Sequence, residues 1–220
     1  MDAGRHPACF GAAPHPGRWF PLDGYLADAV DIAKAIGARH PDVPLYLLGE
    51  SMGGAIAMTA LARHDAPWVQ GAILSAPAVW GRDAMPWFQR SLLWLAAHTV
   101  PGMTLTGRGL DIEPSDNHDM LRALGRDPLV IKATRVDAIY GLVDLMDAAL
   151  AAASVLNKPA LILYGARDEV IEAGPTRLMI KRLPAGMTEK QRIAVYSDGY
   201  HMLLRDLQAK AVWTDIAHWA

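Results

Sequence analysis

The strongest chemical signal in the chain is the pentapeptide Gly49-Glu50-Ser51-Met52-Gly53. A G-x-S-x-G pattern suits a serine nucleophile set on a sharp strand-to-helix turn, whose strained backbone projects the hydroxyl out of the sheet. Glycines two before and two after the serine leave room where backbone segments approach closely. The helix that begins beside the serine offers free N–H groups and the positive end of its dipole to developing negative charge. The bare pattern arises by chance often enough that its context must decide. Here it directly follows the apolar run Pro44-Leu45-Tyr46-Leu47-Leu48 and directly precedes Gly54-Ala55-Ile56-Ala57-Met58. That is the strand–turn–helix setting the chemistry needs.

A serine hydroxyl needs a base to take its proton, and the base needs a carboxylate to orient it. With the serine on such a turn, the partners follow in the order Ser, acid, His, on loops after later strands. Asp168 matches the acid, since the apolar run 160–164 leads through Gly165-Ala166-Arg167 to it. His201 matches the base, at the end of Tyr196-Ser197-Asp198-Gly199-Tyr200-His201. Both lie just beyond the C-terminal ends of strands, where open parallel sheets place their sites. Glu169 is a rival acid that reads as an exposed loop carboxylate, and Asp198 reads as a turn stabiliser. His6 and His15 sit in an irregular N-terminal segment, and His40 and His64 at helix ends. His98, His118 and His218 belong to other helices, so all seven read as solvated or core residues.

The elements that must position these groups are legible as apolar runs bounded by turn residues. Residues 45–48, 72–74, 160–164 and 193–196 read as strands, and their unbroken apolarity fits parallel strands covered on both faces. Asp23 is placed to N-cap a helix with apolar positions Leu26, Ala29, Val30, Ala33 and Ile36. Residues 53–63, 176–183 and 207–219 are further helices, so strands and helices alternate as in an α/β fold. The alternation breaks after residue 74, because residues 75–159 far exceed an ordinary βα loop. Within them, 86–98, 115–124, 129–140 and 144–155 read as helices of an insertion spanning roughly 80–156.

Composition narrows the function classes. The chain has 220 residues, 52% of them hydrophobic and 20% charged, which excludes a disordered chain. Its formal net charge of −2 gives no electrostatic footprint for nucleic acid. The lone Cys9 cannot form an internal disulfide. No apolar run approaches the roughly 18–20 residues needed to span a bilayer, and the first residues lack the apolar centre of a signal peptide. The expectation is a soluble, reduced, globular protein of the cytoplasm.

Taken together, Gly49-Glu50-Ser51-Met52-Gly53-Gly54, the strand and loop 161–168, and Gly199-Tyr200-His201 resemble the α/β-hydrolase superfamily. Within it they resemble the monoacylglycerol lipase / lysophospholipase-like (serine aminopeptidase S33-like) group. Asp127-Pro128-Leu129-Val130 is similar to that group's lid. Residues 10–19, Phe10-Gly11-Ala12-Ala13-Pro14-His15-Pro16-Gly17-Arg18-Trp19, resemble in degraded form the segment after its D-x-R-G-x-G-x-S turn. The resemblance covers the chain from about residue 10 onward. It implies an α/β-hydrolase fold: residues 1–79 as a partial core with the nucleophile turn, 80–156 as a helical lid, and 157–220 as the rest of the core. It also implies hydrolysis of a small-molecule ester or lipid without cofactor. In that chemistry Ser51 attacks, His201 moves the proton, Asp168 orients His201, and the Met52 N–H receives the oxyanion. Trp87, Phe88, Leu92 and Leu93, with Met85, Trp94 and Leu95, form an apolar cluster. It would line an acyl pocket, touch a lipid surface peripherally, or simply pack the insertion.

Two features depart from the family pattern. The group's H-G-x-G-like loop, source of a second oxyanion donor, has no counterpart. A βαβ unit needs about 30 residues, and with residues 20–38 read as helix the family's first strands do not fit ahead of residue 45. The sheet is therefore expected to lack its N-terminal strands, leaving strand 45–48 as an apolar edge suited to self-association. Low activity of the 220-residue chain is expected too, since losing one oxyanion donor costs about 100- to 1,000-fold. The alternatives are a truncated chain of low activity and a catalytically impaired hydrolase-like binding or assembly module. Peptidase, amidase or haloperoxidase-like use of the same site is a further variant, because fold does not fix function.

Overall fold

Strands that are apolar on both faces require helices above and below; the runs at 72–74 and 160–164 are covered so, whereas Ile193 and Val195 of the run at 193–196 stay exposed. The computed structural model describes residues 17–107, 109 and 111–220. Helix α1 (Leu22–Arg39) leads into β1 (Leu45–Glu50), α2 (Met52–Arg63) and β2 (Val69–Ser75). There follow α3 (Trp87–Thr99), β3 (Thr104–Leu105), α4 (His118–Arg126), β4 (Thr134–Arg135) and α5 (Val136–Ala152). The chain then returns through β5 (Ala160–Gly165), α6 (Ala173–Arg182), β6 (Gln191–Tyr196) and α7 (Ala209–Trp219). His6, Cys9, His15 and the rest of the 10–16 segment lie outside the described residues.

The main sheet is parallel throughout, in the order β1-β2-β5-β6. Alternate residues divide between its two faces, as the period of a strand demands. Leu47, Ala72, Leu74 and Ile162 join the core formed with α2 and α5, which includes Met58, Leu61, Leu145 and Leu150. Ile73, Leu161 and Leu163 pack on the opposite face against Val212 and Ile216 of α7. Among the described residues β1 and β6 are the edges, and Leu48 of β1 is 47% exposed.

Three local expectations are corrected. Asp23 does not cap α1: the helix starts two residues earlier, with Pro21 at the N-cap position, and Asp23 lies in its first turn, where a negative charge suits the dipole. The helices expected at 129–140 and 144–155 are instead one helix, α5, with a 3₁₀ turn at Ala153–Val155. Gly141 does not interrupt it, because that glycine makes room for the Trp19 indole, 2.2 Å from where a Cβ would stand. The residues just before α5 pair as β4, antiparallel to β3. Finally, residues 136–155 do have the length and mean hydropathy, 1.5, of a membrane-crossing helix, although Asp137, Asp144 and Asp147 interrupt the run. That apolarity serves the core, where Val143, Leu145, Ala149 and Leu150 are buried.

Candidate active site

The turn after β1 is strained where a nucleophile turn should be. Ser51 has φ 53° and ψ −117°, and only Ala76 joins it at positive φ among the described non-glycine residues. The surrounding hydrogen bonds determine that conformation. The Ser51 N–H donates to the Ser75 carbonyl at 2.9 Å. The Ser51 carbonyl accepts from Ala55 N–H at 3.1 Å and from Ala78 N–H at 2.9 Å. A Cβ on Gly49 would stand 2.2 Å from the Gly53 carbonyl oxygen, so this glycine is obligatory. The other room-making glycine is Gly54 rather than Gly53: a Cβ at Gly54 would press on Pro77 and the Gly49 carbonyl, whereas at Gly53 it meets nothing within 4 Å. Met52 is the first residue of α2, so its N–H is one of those a helix leaves without an intrahelical acceptor.

The acid and the histidine are brought together by loops that cross closely. Ala166 N–H donates to the Tyr196 carbonyl and Arg167 N–H to the Gly199 carbonyl, both at 2.9 Å. Gly165 permits the crossing, since a Cβ there would lie 2.3 Å from the Tyr200 carbonyl oxygen. The Asp168 side chain is fully buried. Its Oδ1 accepts from the N–H groups of Val170 and Ile171 at 2.9 and 2.8 Å, and its Oδ2 lies 2.9 Å from Nδ1 of His201. A carboxylate held by two backbone donors is a rigid partner, and its second oxygen favours the tautomer with the proton on Nδ1. Nε2 is then the basic nitrogen.

Sequence reasoning missed the role of the motif's own carboxyl. Burial pushes the Glu50 carboxyl above its ordinary pKa, against the opposing pull of Arg205 and His201; Asp206 adds to the rise. Among the described residues its Oε1 is buried without a hydrogen-bond partner, as is Oγ of Ser75, its register partner on β2. A carboxyl beside the serine in a G-x-S-x-G pattern was visible in the sequence, but its burial was not.

The remaining expected residues are placed as follows. Glu169 accepts a hydrogen bond from Glu113 N–H and does not replace Asp168, while Asp198 pairs with Arg167 at the surface. Trp87, Phe88 and Leu92 are exposed on α3, Trp87 by 73%, whereas Leu93 turns inward and packs against the core.

Comparison with known proteins gives a consistent result. A family model described as serine aminopeptidase, S33, matches residues 4–208. A monoacylglycerol lipase of Mycolicibacterium smegmatis is 27% identical over 209 residues, covering 90% of this chain and 69% of that protein. A monoglyceride lipase of Mus musculus is 29% identical over 189 residues, covering 83% of this chain. The chain spans only 59% of the mouse protein's length. The crystal structure of Paleococcus ferrophilus monoacylglycerol lipase superposes with a TM-score of 0.75 at 23% identity, covering 93% of this chain and 77% of that one. A soluble variant of monoglyceride lipase from Saccharomyces cerevisiae gives a TM-score of 0.69 at 18% identity, with coverages of 96% and 72%. At these identities the structural likeness speaks for the fold, which is that of an α/β-hydrolase.

Proposed function

The chain belongs to the serine aminopeptidase S33 family of α/β-hydrolases, and from that premise we propose that it is a carboxylic-ester hydrolase of the monoacylglycerol or lysophospholipid type. Its catalytic groups are Ser51, His201 and Asp168. The observation that carries this reading is the 2.9 Å contact between buried Asp168 and His201, at the same end of the sheet as the strained Ser51 turn.

Ser51 Oγ attacks the ester carbonyl carbon while its proton passes to Nε2 of His201. The carbonyl oxygen becomes an oxyanion, which the Met52 N–H at the start of α2 is placed to receive. As the tetrahedral intermediate collapses, the C–O bond to the alcohol breaks and His201 gives the proton to the leaving oxygen. Water then repeats the sequence on the acyl-enzyme, His201 taking a proton from water and returning it to Ser51. The acid leaves and the enzyme is restored. Asp168 stabilises the imidazolium formed in each half-reaction.

The exposed Trp87, Phe88 and Leu92 suit peripheral contact with a lipid surface, from which a cytoplasmic protein of this kind would draw its substrate. The test is release of fatty acid from a monoacylglycerol and from a lysophosphatidylcholine by the purified chain. Turnover lost in Ser51→Ala supports the reading, and release unaffected by that substitution refutes it. A second reading, a hydrolase-like module for binding or assembly, is favoured by the edge position of β1 among the described residues, where Leu48 is exposed and would suit pairing with a second copy. A folded chain without turnover that self-associates through β1 would establish that alternative.

A further inference from the structure

The backbone on both sides of His201 is tied to one short stretch of the chain just ahead of α4. The Tyr200 N–H donates to Oδ2 of Asp206 at 2.8 Å, and the Met202 N–H donates to the Pro114 carbonyl at 2.9 Å. The other oxygen of Asp206 accepts from the Ser115 hydroxyl at 2.6 Å. Ser115 is completely buried and Asp206 is 5% exposed. A carboxylate at that depth is costly unless its oxygens are satisfied, and here one oxygen takes the peptide before the histidine and the other the hydroxyl of a distant segment. The same stretch is fastened again on each side. Asn117 Nδ2 donates to the Arg205 carbonyl, and Glu113 N–H donates to Oε2 of Glu169, next to Asp168. Residues 113–117 therefore bridge the loop of the acid and the loop of the base.

We infer that Ser115 and Asp206 are positioning residues, which hold the backbone leading into His201 through the Tyr200 N–H so that its ring stays on Asp168. The inference deepens the ester-hydrolase reading and rests on it for its kinetic consequence. Geometry makes the consequence large, because a displacement of about 1 Å in a catalytic group can cost on the order of 100-fold in rate. It also makes the consequence selective, because neither residue belongs to the exposed apolar face of α3 proposed to meet lipid.

The experiment compares Asp206→Ala, Asp206→Asn and Ser115→Ala with the wild-type chain. Asp206→Ala is expected to lower kcat about 10- to 100-fold while KM changes by less than about three-fold. Asp206→Asn keeps an acceptor for Tyr200 N–H and offers its amide to Ser115 Oγ, so it recovers most of the rate. Ser115→Ala, which removes only one hydroxyl, falls between them. Nitrogen-edited NMR of the His201 ring supplies a readout independent of turnover: the Nδ1–H proton of the wild type is slowed and low-field, and it broadens or disappears in Asp206→Ala. Thermal denaturation is run in parallel, and if Asp206→Ala does not fold the other two substitutions decide.

A wild-type chain that hydrolyses no ester would sink the functional reading, while the ring signal would still judge this one. Unchanged kcat and an unchanged ring signal in the folded variants would overturn the inference. So would a loss of rate that only follows the loss of folded protein.

Discussion

Asp168 and His201 are 33 residues apart in sequence and 2.9 Å apart in space, with the carboxylate side chain wholly withdrawn from solvent. The pair is a directional contact: two backbone N–H groups occupy Oδ1, so Oδ2 alone serves the imidazole. In Asp168→Asn the amide oxygen keeps the backbone donors and the amide nitrogen turns towards His201, imposing the wrong tautomer. Ester turnover is expected to fall by about 10⁴-fold, the scale of the equivalent change in a serine protease triad. Steady-state kinetics and a melting curve measure it together; a loss under tenfold contradicts the assigned role.

The two glycines of the serine motif should behave oppositely. Gly49→Ala drives a Cβ to 2.2 Å from the Gly53 carbonyl oxygen, a backbone atom that cannot step aside. It is expected to cost at least about 3 kcal/mol, as an overpacked core position can. Gly53→Ala meets open space in the first turn of α2 and gains helix propensity, so its stability should change little or rise by up to about 1 kcal/mol. Urea denaturation of the two variants separates them, and equal destabilisation would disprove this account of the turn.

Glu50 should impose a pH dependence on stability. Burial raises its carboxyl above the ordinary 4.5, so the folded state binds the proton more tightly than the unfolded chain does. That contribution is fully present below about pH 4.5 and is lost as pH rises through the raised value. Glu50→Gln, which stays neutral, should therefore gain in Tm over the wild type as pH rises from 4.5 towards neutrality. Paired melting curves across that range check the sign, and parallel curves would refute it.

The exposed face of α3 should matter to substrate and little to folding. Replacing Phe88 and Leu92 with serine removes apolar surface that is already solvated, so each change should move stability by less than about 0.5 kcal/mol. The ratio of kcat/KM for a long-chain ester over an acetyl ester should drop. A flat chain-length profile in the wild type would remove the assignment of these residues to substrate.

What could be read from the sequence was the part set by local pattern. The Ser51 turn lies in five residues between an apolar strand and a small-residue helix, and Asp168 and His201 each follow a later strand, in the order expected when the serine sits on such a turn. The four main strands were legible for the same reason, as apolar runs with turns at their ends. What escaped depends on contacts between distant segments. The separate helices expected at 129–140 and 144–155 become one only when Trp19 is seen filling the place beside Gly141. The two-residue strands β3 and β4 exist only because each has the other, and neither is long enough to leave a period. Asp206 and Ser115 lie 91 residues apart and carry no motif, so their hydrogen bond, and the brace it forms behind His201, had no signal in the linear chain.

Covalent labelling decides whether Ser51 is a nucleophile activated by His201. Folded protein is treated with a fluorophosphonate, and the site of attachment is found by intact-mass measurement and peptide mapping. The account predicts a single adduct on Ser51, absent in Ser51→Ala and formed much more slowly in His201→Ala. No adduct on the folded wild type, or one that survives Ser51→Ala, would contradict it.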